Sequence, residues 1–561
     1  MKTITCIPCL GRFPAAFHES GSRRITYATS LLASHASTLK SRPQPLTLQQ
    51  RRHMTVDQLD SNKDDRERVV ILGSGWGGYM VARQLDARKY QAVIVSPRSY
   101  FAFTPLLAST SVGTLEFRTA LEPLRSKRIK VKYLQGFADQ IDFSNKTVTI
   151  EESVDDPSVT LAPEKGQHAG ERREQRPQER IEQAKTGRLF NLTYDKLVIA
   201  VGCYSQTFGT PGVSDHAFFL KDVGDARRIR NRILACFEAA ALPTTSDKMR
   251  RQLLNFAVIG GGPTGIEFSA ELHDIINEDL ARIYPELIPF HKITVYDVAD
   301  KVLPMFDEKL ANYAMDTFKR EGIAIKTRHH VEELRPGAPG EKVDSKSNDH
   351  ACYTLKVKEE GEIGVGMVVW STGLMQNPFV AKTLAKELDP SQGRLGLTRL
   401  GSDSDGALPK SWHIKRDCKS GSFLTDDRLQ LKVQASGEGE KRPEATLQGV
   451  YVLGDCAVTE GSRYPATAQV ASQKAIWLAK RLNKGDLEQS TFTWKNLGVM
   501  AYIGNWKALL QGGEGGGISG RTAWLVWRGA YLTKSVSVRN KILIPIYWFI
   551  NWIFGRDISR F

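Results

Sequence analysis

The stretch RVVILGSGWGGYMVARQLDARKYQAVIVSPRSYFAFTPLL, Arg68 to Leu107, decides the fold. Val69–Leu72 is an apolar run of buried-strand length, and glycines follow at Gly73, Gly75, Gly77 and Gly78. A helical pattern starts at Tyr79, and a second apolar run, Ala92–Val95, ends at Ser96. The reading is strand, glycine turn, helix, strand. In that arrangement Gly73 makes the tight turn, Gly75 lets the backbone approach a pyrophosphate, and Gly78 lets the helix pack close to the strand. The helix start offers unpaired N–H groups and a partial positive charge to phosphates.

The same pattern occurs a second time. Phe256–Ile259 runs into Gly260, Gly262 and Gly265, then a helix predicted over Ile266–Ile283, then a strand Ile293–Tyr296 ending at Asp297. An acid at that point can bind both ribose hydroxyls of an NAD-type adenosine. The interval from Gly265 to Asp297 exceeds the usual ~20 residues, which predicts an extended helix. The first unit has Ser96 where the acid would stand, so its site needs other ribose contacts. Two units in one chain suggest two nucleotides face to face, and hydride transfer between a nicotinamide and a flavin suits that pairing.

Outward from these units, 561 residues exceed one core, and two or three domains are expected. The formal net charge is +15, unevenly placed. Residues 1–53 hold eight Lys/Arg and a single acid, Glu19, in a Ser/Thr/Ala-rich segment without a long apolar run. That composition fits a mitochondrial transit segment, taken here as 1–54. Cys6 and Cys9 fall inside it and follow no strand, so they are not read as a redox motif. The other cysteines (Cys203, Cys236, Cys352, Cys418, Cys456) show no metal spacing, and no metal site is expected. Charged stretches without periodicity at 151–190 and 398–446 read as polar insertions. No run of eighteen apolar residues exists, so no transmembrane helix is predicted.

Several motifs together resemble the type II (alternative, non-proton-pumping) mitochondrial NADH:ubiquinone oxidoreductases. Gly73–Gly78, with Trp76 inside it, resembles their FAD turn. Ser96-Pro97-Arg98 with Tyr100–Leu107, including Thr104, resembles their SPRNYFLFTPLL segment near the isoalloxazine. Gly260–Glu267, with Pro263 and Thr264, resembles their NADH turn, and Asp297 takes the ribose position. Gly202, Gly373 and Leu453-Gly454-Asp455 resemble further glycine segments at the nucleotides, and Pro465–Gln473, with Ala468, resembles the AQxAxQ helix of the flavin and quinone pocket. An acid often follows that motif in the family, whereas Lys474 stands here.

The resemblance implies an α/β fold of two Rossmann-like domains plus a C-terminal membrane-associating helical region. The expected domains are an FAD-binding part at 66–215, an NADH-binding domain at 216–375, a second FAD-binding part at 376–489, and a docking region at 490–561. It implies FAD as cofactor, NADH as substrate and ubiquinone as acceptor. NADH would pass a hydride to flavin N5, and reduced flavin would then reduce the quinone. Glu267, Gln469 and Gln473 are the candidate catalytic residues. Glu267 would relay protons or place the nicotinamide, or merely stabilise a helix N-terminus. The two glutamines would hydrogen-bond quinone or flavin carbonyls, or form plain helix surface.

The C-terminal region fits a lipid-soluble acceptor. Trp524, Trp527 and Tyr531 share a helical face, and residues 521–561 hold seven basic residues against one acid. With the apolar Ile542–Phe554, this reads as a monotopic anchor on anionic lipid, or as a dimerisation surface, and a homodimer is expected. The expected location is the inner mitochondrial membrane, matrix side. Two rivals stand beside this reading. A sulfide:quinone-type or other pyridine-nucleotide reductase would use Cys203 and Cys456 at the flavin. A signalling flavoprotein would bind nucleic acid through its positive charge, yet no recognition motif follows, and no nucleic-acid partner is expected.

Overall fold

Glu67–Leu72 and Asn255–Ile259, the strands before the two glycine turns, each lie in the interior of a parallel array. Every residue of Val69–Leu72 and Phe256–Val258 is essentially inaccessible, as strands covered on both faces must be. The computed structural model describes residues 55–126, 130–153, 187–340, 352–391, 395–400, 409–437, 442–513 and 515–560. Leu59–Phe561 forms one unit, separate from residues 1–58. The transit expectation for 1–54 lies outside the described residues.

The larger sheet runs through Glu387–Leu388, Trp412–Ile414, Gln430–Ala435, Glu444–Val452, Lys196–Ile199, Glu67–Leu72, Tyr90–Ser96, Lys132–Asp142, Thr147–Glu152 and Leu189–Thr193. Its centre, Glu444–Val452 to Lys132–Asp142, is parallel. The second sheet is parallel throughout, in the order Phe218–Phe219, Met367–Trp370, Asn255–Ile259, Lys292–Tyr296, Ala324–Lys326. Helix Trp76–Gln84 follows the first strand and starts three residues before the predicted Tyr79. The long interval before Asp297 is not one extended helix. Pro263–Ile275 passes into a wide turn at Ile276–Leu280, then Ala281–Ile283 and a 3₁₀ segment Pro285–Phe290.

The described residues of the insertion expected at 398–446 include several strands. Trp412, Phe423, Leu431 and Val433 are fully buried, and the strands carrying them join the larger sheet directly or through their neighbours. The polar residues of this stretch hid the pattern because some of them are buried as ion pairs. Lys432, 6% exposed, contacts Glu444 at 2.6 Å and also Glu460. Lys415 contacts Glu444 at 2.5 Å and Glu460 at 2.7 Å. The ends of the 151–190 stretch are also sheet, with Glu151 opposite Leu189, while 154–186 lie outside the described residues.

The C-terminal region is a three-stranded antiparallel sheet, Val499–Tyr502, Ala508–Gln511 and Gly517–Gly520, followed by helices Arg521–Lys534 and Val538–Phe554. The aromatic face assigned to the membrane turns inward instead. Trp524 and Trp527 are buried, and Tyr531 packs on Trp527 at 4.9 Å. Solvent meets the opposite side, where Leu525 is 63% exposed. The next helix carries an exposed apolar stripe of Val538, Ile542, Ile546, Phe549 and Ile553, with Trp552 and Phe554 at its end. Its two asparagines face the protein: Asn540 Nδ2 donates to Leu121 O and Glu122, and Asn551 Nδ2 to Gly113 O and Thr114 O. Among the described residues no helix is long and apolar enough to cross a membrane.

Candidate functional site

The two glycine turns have the same division of labour. At Gly73, with φ +105°, a Cβ would sit 2.3 Å from Ala200 O, and at Gly78 it would sit 2.0 Å from Gly73 O. At Gly260, with φ +112°, and Gly265 the crowding recurs, the latter 2.0 Å from Gly260 O. The middle glycines are different. A Cβ at Gly75 or Gly262 would meet nothing within 4 Å. The outer glycines are therefore required by the chain itself, and the middle ones leave open space beside a helix start that has no side-chain cap. Gly454, at φ +85°, and Gly202, at φ +69°, are open in the same way. These cradles fit a dinucleotide at each turn.

One cleft of about 3600 Å³ joins most of the candidates. Gly73, Gly75, Trp76, Gly77, Ser96, Pro97, Arg98, Thr104, Gly202, Gly454, Asp455 and Ala468 line it, with Pro263, Thr264 and Glu267 from the second unit and Gln469 from helix Ala468–Lys484. Gly78 is absent from that lining, as are Gly260, Gly262, Gly265, Asp297, Gly373 and Gln473. Gly373 serves as a turn, φ +74°, packed against Gln206 and Phe208.

Local bonds explain how the first half is held. Ser96 Oγ lies 2.9 Å from Ser74 Oγ and accepts from Arg98 N at 3.2 Å. Arg98 is ion-paired to Asp222 at 2.7 Å, and Tyr100 OH donates to the other Asp222 oxygen at 3.1 Å. The carboxylate that engages Arg98 is Asp222, which also begins helix Val223–Ala241 in a capping box with Asp225. Sequence reading passed over Asp222, although its D-x-x-D spacing before a helix was the available signal. Trp76 Nε1 donates to Thr104 Oγ1 at 3.0 Å, and its ring packs on Phe101 at 5.0 Å and Phe103 at 5.2 Å.

In the second half, Glu267 is 8% exposed. Its Oε1 accepts from Tyr502 N at 3.1 Å and Trp527 Nε1 at 3.3 Å. Burial drives its carboxyl up to about 8, against the lowering effect of those two donors, and the Glu271 charge adds to the rise. Burial also pushes the Tyr531 hydroxyl well up, with the Glu267 charge behind it. Tyr502, Trp527 and Tyr531 all come from the C-terminal region, out of reach of motif reading. Glu267 is therefore a pocket acid rather than a helix-end charge.

The glutamines are already engaged. Gln469 Oε1 accepts from Trp494 Nε1 and from Leu497 N, both at 3.1 Å, and its Nε2 donates to Gly498 O at 3.2 Å. Gln473 pairs with both backbone groups of Lys495, accepting at 3.1 Å and donating at 2.9 Å. Each Nε2 uses one of its two N–H groups in these bonds, and the other remains to donate. Lys474 is 3% exposed and donates to Thr459 Oγ1 at 2.8 Å, and burial lowers its amine to about 8. The cysteines of the rival reading form no disulfide: Cys456 Sγ is buried 3.5 Å from Leu453 O, and Cys203 Sγ lies 3.2 Å from Asp455 Oδ2. Both are free thiols.

Asp297 accepts from Gly261 N at 2.5 Å and Ala299 N at 2.8 Å, beside the second turn. Asp297→Ala is expected to raise the KM for NADH about tenfold, with flavin retained, as two charge-assisted bonds at the turn disappear. Unchanged affinity and unchanged discrimination between NADH and NADPH would remove Asp297 from the ribose site.

Two sheets with parallel centres, two open-centred glycine turns and a cleft between them define an oxidoreductase of the two-dinucleotide type. Residues 67–395 match the pyridine nucleotide-disulphide oxidoreductase family, and residues 496–557 match the NDH2 C-terminal domain. A probable NADH dehydrogenase of Dictyostelium discoideum is 35% identical over 508 residues, covering 89% of this chain and 92% of its own. An external alternative NAD(P)H-ubiquinone oxidoreductase B1, mitochondrial, of Solanum tuberosum is 33% identical, covering 90% and 92%. The fold is shared with NDH2 from Plasmodium falciparum in complex with NADH, at TM-score 0.68 and 22% identity, over 88% of this chain and 100% of that one. The chain belongs to the type II NADH dehydrogenase family.

Proposed function

We propose that this protein oxidises NADH and reduces ubiquinone by two electrons, with FAD between them and without proton pumping. The observation that carries the reading is the cleft that joins Gly75 and Gly454 to Pro263, Thr264 and Glu267. Bound FAD would supply the two-electron chemistry linking a nicotinamide to a quinone. Gly73–Gly78, Gly454 and Asp455 would hold it, and Gly260–Gly265 with Asp297 would hold NADH. Glu267 keeps a proton below about pH 8. With Oε1 accepting two N–H groups, that proton sits on Oε2, available to a quinone oxygen in the cleft. The test is anaerobic. NADH should bleach the flavin spectrum of the purified protein, and a short-chain ubiquinone should restore it. Bleaching that quinone does not reverse sinks the reading.

The enzyme works in the mitochondrion, on the matrix face of the inner membrane. The basic residues 1–53 and the mitochondrial relative support the compartment. The stripe of helix Val538–Phe554, together with Arg539, Lys541 and Arg560, would seat on anionic lipid. Protease protection in mitoplasts checks the side. Replacing Phe549, Trp552 and Phe554 by Ser should weaken binding to anionic liposomes at least tenfold, since each large apolar side chain is worth about 1.5–3 kcal/mol. Undiminished binding would move the docking surface elsewhere.

A further inference from the structure

One arginine of the C-terminal region is built in among tryptophans. Arg528 Cζ lies 4.2 Å from the ring of Trp524, one turn earlier on helix Arg521–Lys534, and 4.3 Å from that of Trp548 on helix Val538–Phe554. Trp506, from the turn between strands Val499–Tyr502 and Ala508–Gln511, lies 5.8 Å from the same carbon and 5.0 Å from the Trp524 ring. Rings cover the faces of a guanidinium, and its five N–H groups, which point outward in its plane, still need acceptors. Among the described residues Arg528 has no hydrogen bond and no ion pair, and its Nε is fully buried without a partner. Other arginines withdrawn from solvent are treated differently: Arg68, Arg230 and Arg556 meet Asp60, Asp557 and Asp279 at 2.6, 3.8 and 2.5 Å. Glu271 and Glu278, whose fields reach Arg528, are held elsewhere, Glu271 by Ser109 and Thr114 and Glu278 by Arg556. Burial pulls the guanidinium down to about 10, the direction of a cation short of a counter-ion, and it stays charged at neutral pH. Leu525, three residues before Arg528, is 63% exposed, and Trp552, four after Trp548, is 67% exposed. By helical spacing the stack therefore borders the exposed apolar surface.

We propose that Arg528, stacked between Trp524 and Trp548, is the receptor for the phosphodiester of one anionic phospholipid. The inference rests on the reading of this face as the membrane-docking surface. Docking excludes water, so the N–H groups of Arg528 must find lipid oxygens or go unpaired. A phosphodiester offers two oxygens to the planar fork, which pairs with them bidentately, and tryptophans suit the boundary between headgroups and acyl chains. A free phosphate ion would bring the oxygens without the acyl chains that Leu525 and Trp552 await, so the occupant is lipid. Arg528 differs in this from Arg539 and Lys541, which are exposed and attract an anionic surface at long range.

The experiment sediments the full-length flavoprotein with vesicles of phosphatidylcholine alone and of phosphatidylcholine mixed equally with phosphatidylglycerol. Arg528→Lys keeps the charge and loses the planar fork. It should weaken binding to the mixed vesicles about tenfold, the equivalent of one charge-assisted hydrogen bond. On phosphatidylcholine, whose choline neutralises the phosphate, it should stay within about twofold of wild type. Lys541→Gln removes a whole charge from the exposed surface and should cost about fivefold at low salt, the usual worth of one surface cation. High salt should abolish that loss and leave the Arg528→Lys deficit in place, because a pair set among tryptophans is poorly screened. Wild-type binding by Arg528→Lys overturns the proposal, as does a deficit that salt removes or that is equal on both vesicles. Flavin content and Tm report folding. Should Arg528→Lys fail to fold, Trp548→Leu, which opens one side of the stack, must show the same salt-resistant deficit confined to the mixed vesicles. Wild-type protein that binds neither vesicle overturns the docking reading and the proposal with it, whereas wild-type binding without an Arg528 deficit overturns the proposal alone.

Discussion

Glu267→Gln is expected to slow reoxidation of the reduced enzyme by quinone about a hundredfold at pH 7, the order of effect of one general acid. Flavin reduction by NADH should stay within about threefold of wild type, because proton supply is not needed there. The substitution is well matched to the site. A glutamine Oε1 can still accept from Tyr502 N and Trp527 Nε1, so the pocket keeps its bonds and loses only the titrating proton. The sign of the pH effect follows from the same group. Its folded value, about 8, lies above the ordinary 4.5. Between those values the folded state holds a proton that the unfolded state has released. Stability from this site is complete below about 4.5 and is lost as pH rises through about 8. Glutamine does not titrate, so the variant's Tm should exceed that of wild type at pH 9 and not at pH 5. Reoxidation at wild-type speed would take the acid role away from Glu267. An equal Tm difference at both pH values would contradict its buried, protonated state.

The second large effect separates two glycines three residues apart. Gly78→Ala places a Cβ 2.0 Å from Gly73 O and 3.0 Å from Ile71, and backbone cannot yield there. A cost of about 3 kcal/mol is expected, typical of severe overpacking, with loss of bound flavin. Gly75→Ala meets no protein atom within 4 Å and has an ordinary φ of −76°. It should fold with the Tm of the flavin-free wild type and still bind FAD at least tenfold more weakly, because the added methyl occupies the space a pyrophosphate needs. Flavin content and Tm measured on both variants check this. Full flavin occupancy in Gly75→Ala would mean that the first turn does not cradle the cofactor.

The spacing of the glycines made both dinucleotide units legible, since only glycine tolerates those crowded or positive-φ positions and the strand–turn–helix context is local. Asp297 was legible for the same reason, standing at a strand end set by that pattern. The stretch 398–446 was not legible. Its strands carry lysines and glutamates whose burial depends on partners elsewhere in the chain, as Lys432 depends on Glu444 and Glu460. Asp222 was missed because its role needs Arg98, 124 positions earlier in the numbering.

The C-terminal aromatics mark the boundary most clearly. Helical periodicity correctly placed Trp524, Trp527 and Tyr531 on one face, but periodicity cannot say which side of a helix meets lipid. Only the packed structure turns that face onto Glu267 and leaves the stripe from Val538 to Phe554 outside. Likewise the glutamines at 469 and 473 were visible as a motif, while their bonds to residues 494–498 were not. The sequence by itself determined the two nucleotide turns, their order and the polar or apolar character of each face. Tertiary structure alone decided which groups are desolvated and which are already bonded. Those depend on contacts between segments hundreds of residues apart, and they determine what Glu267, Gln469 and Gln473 can do.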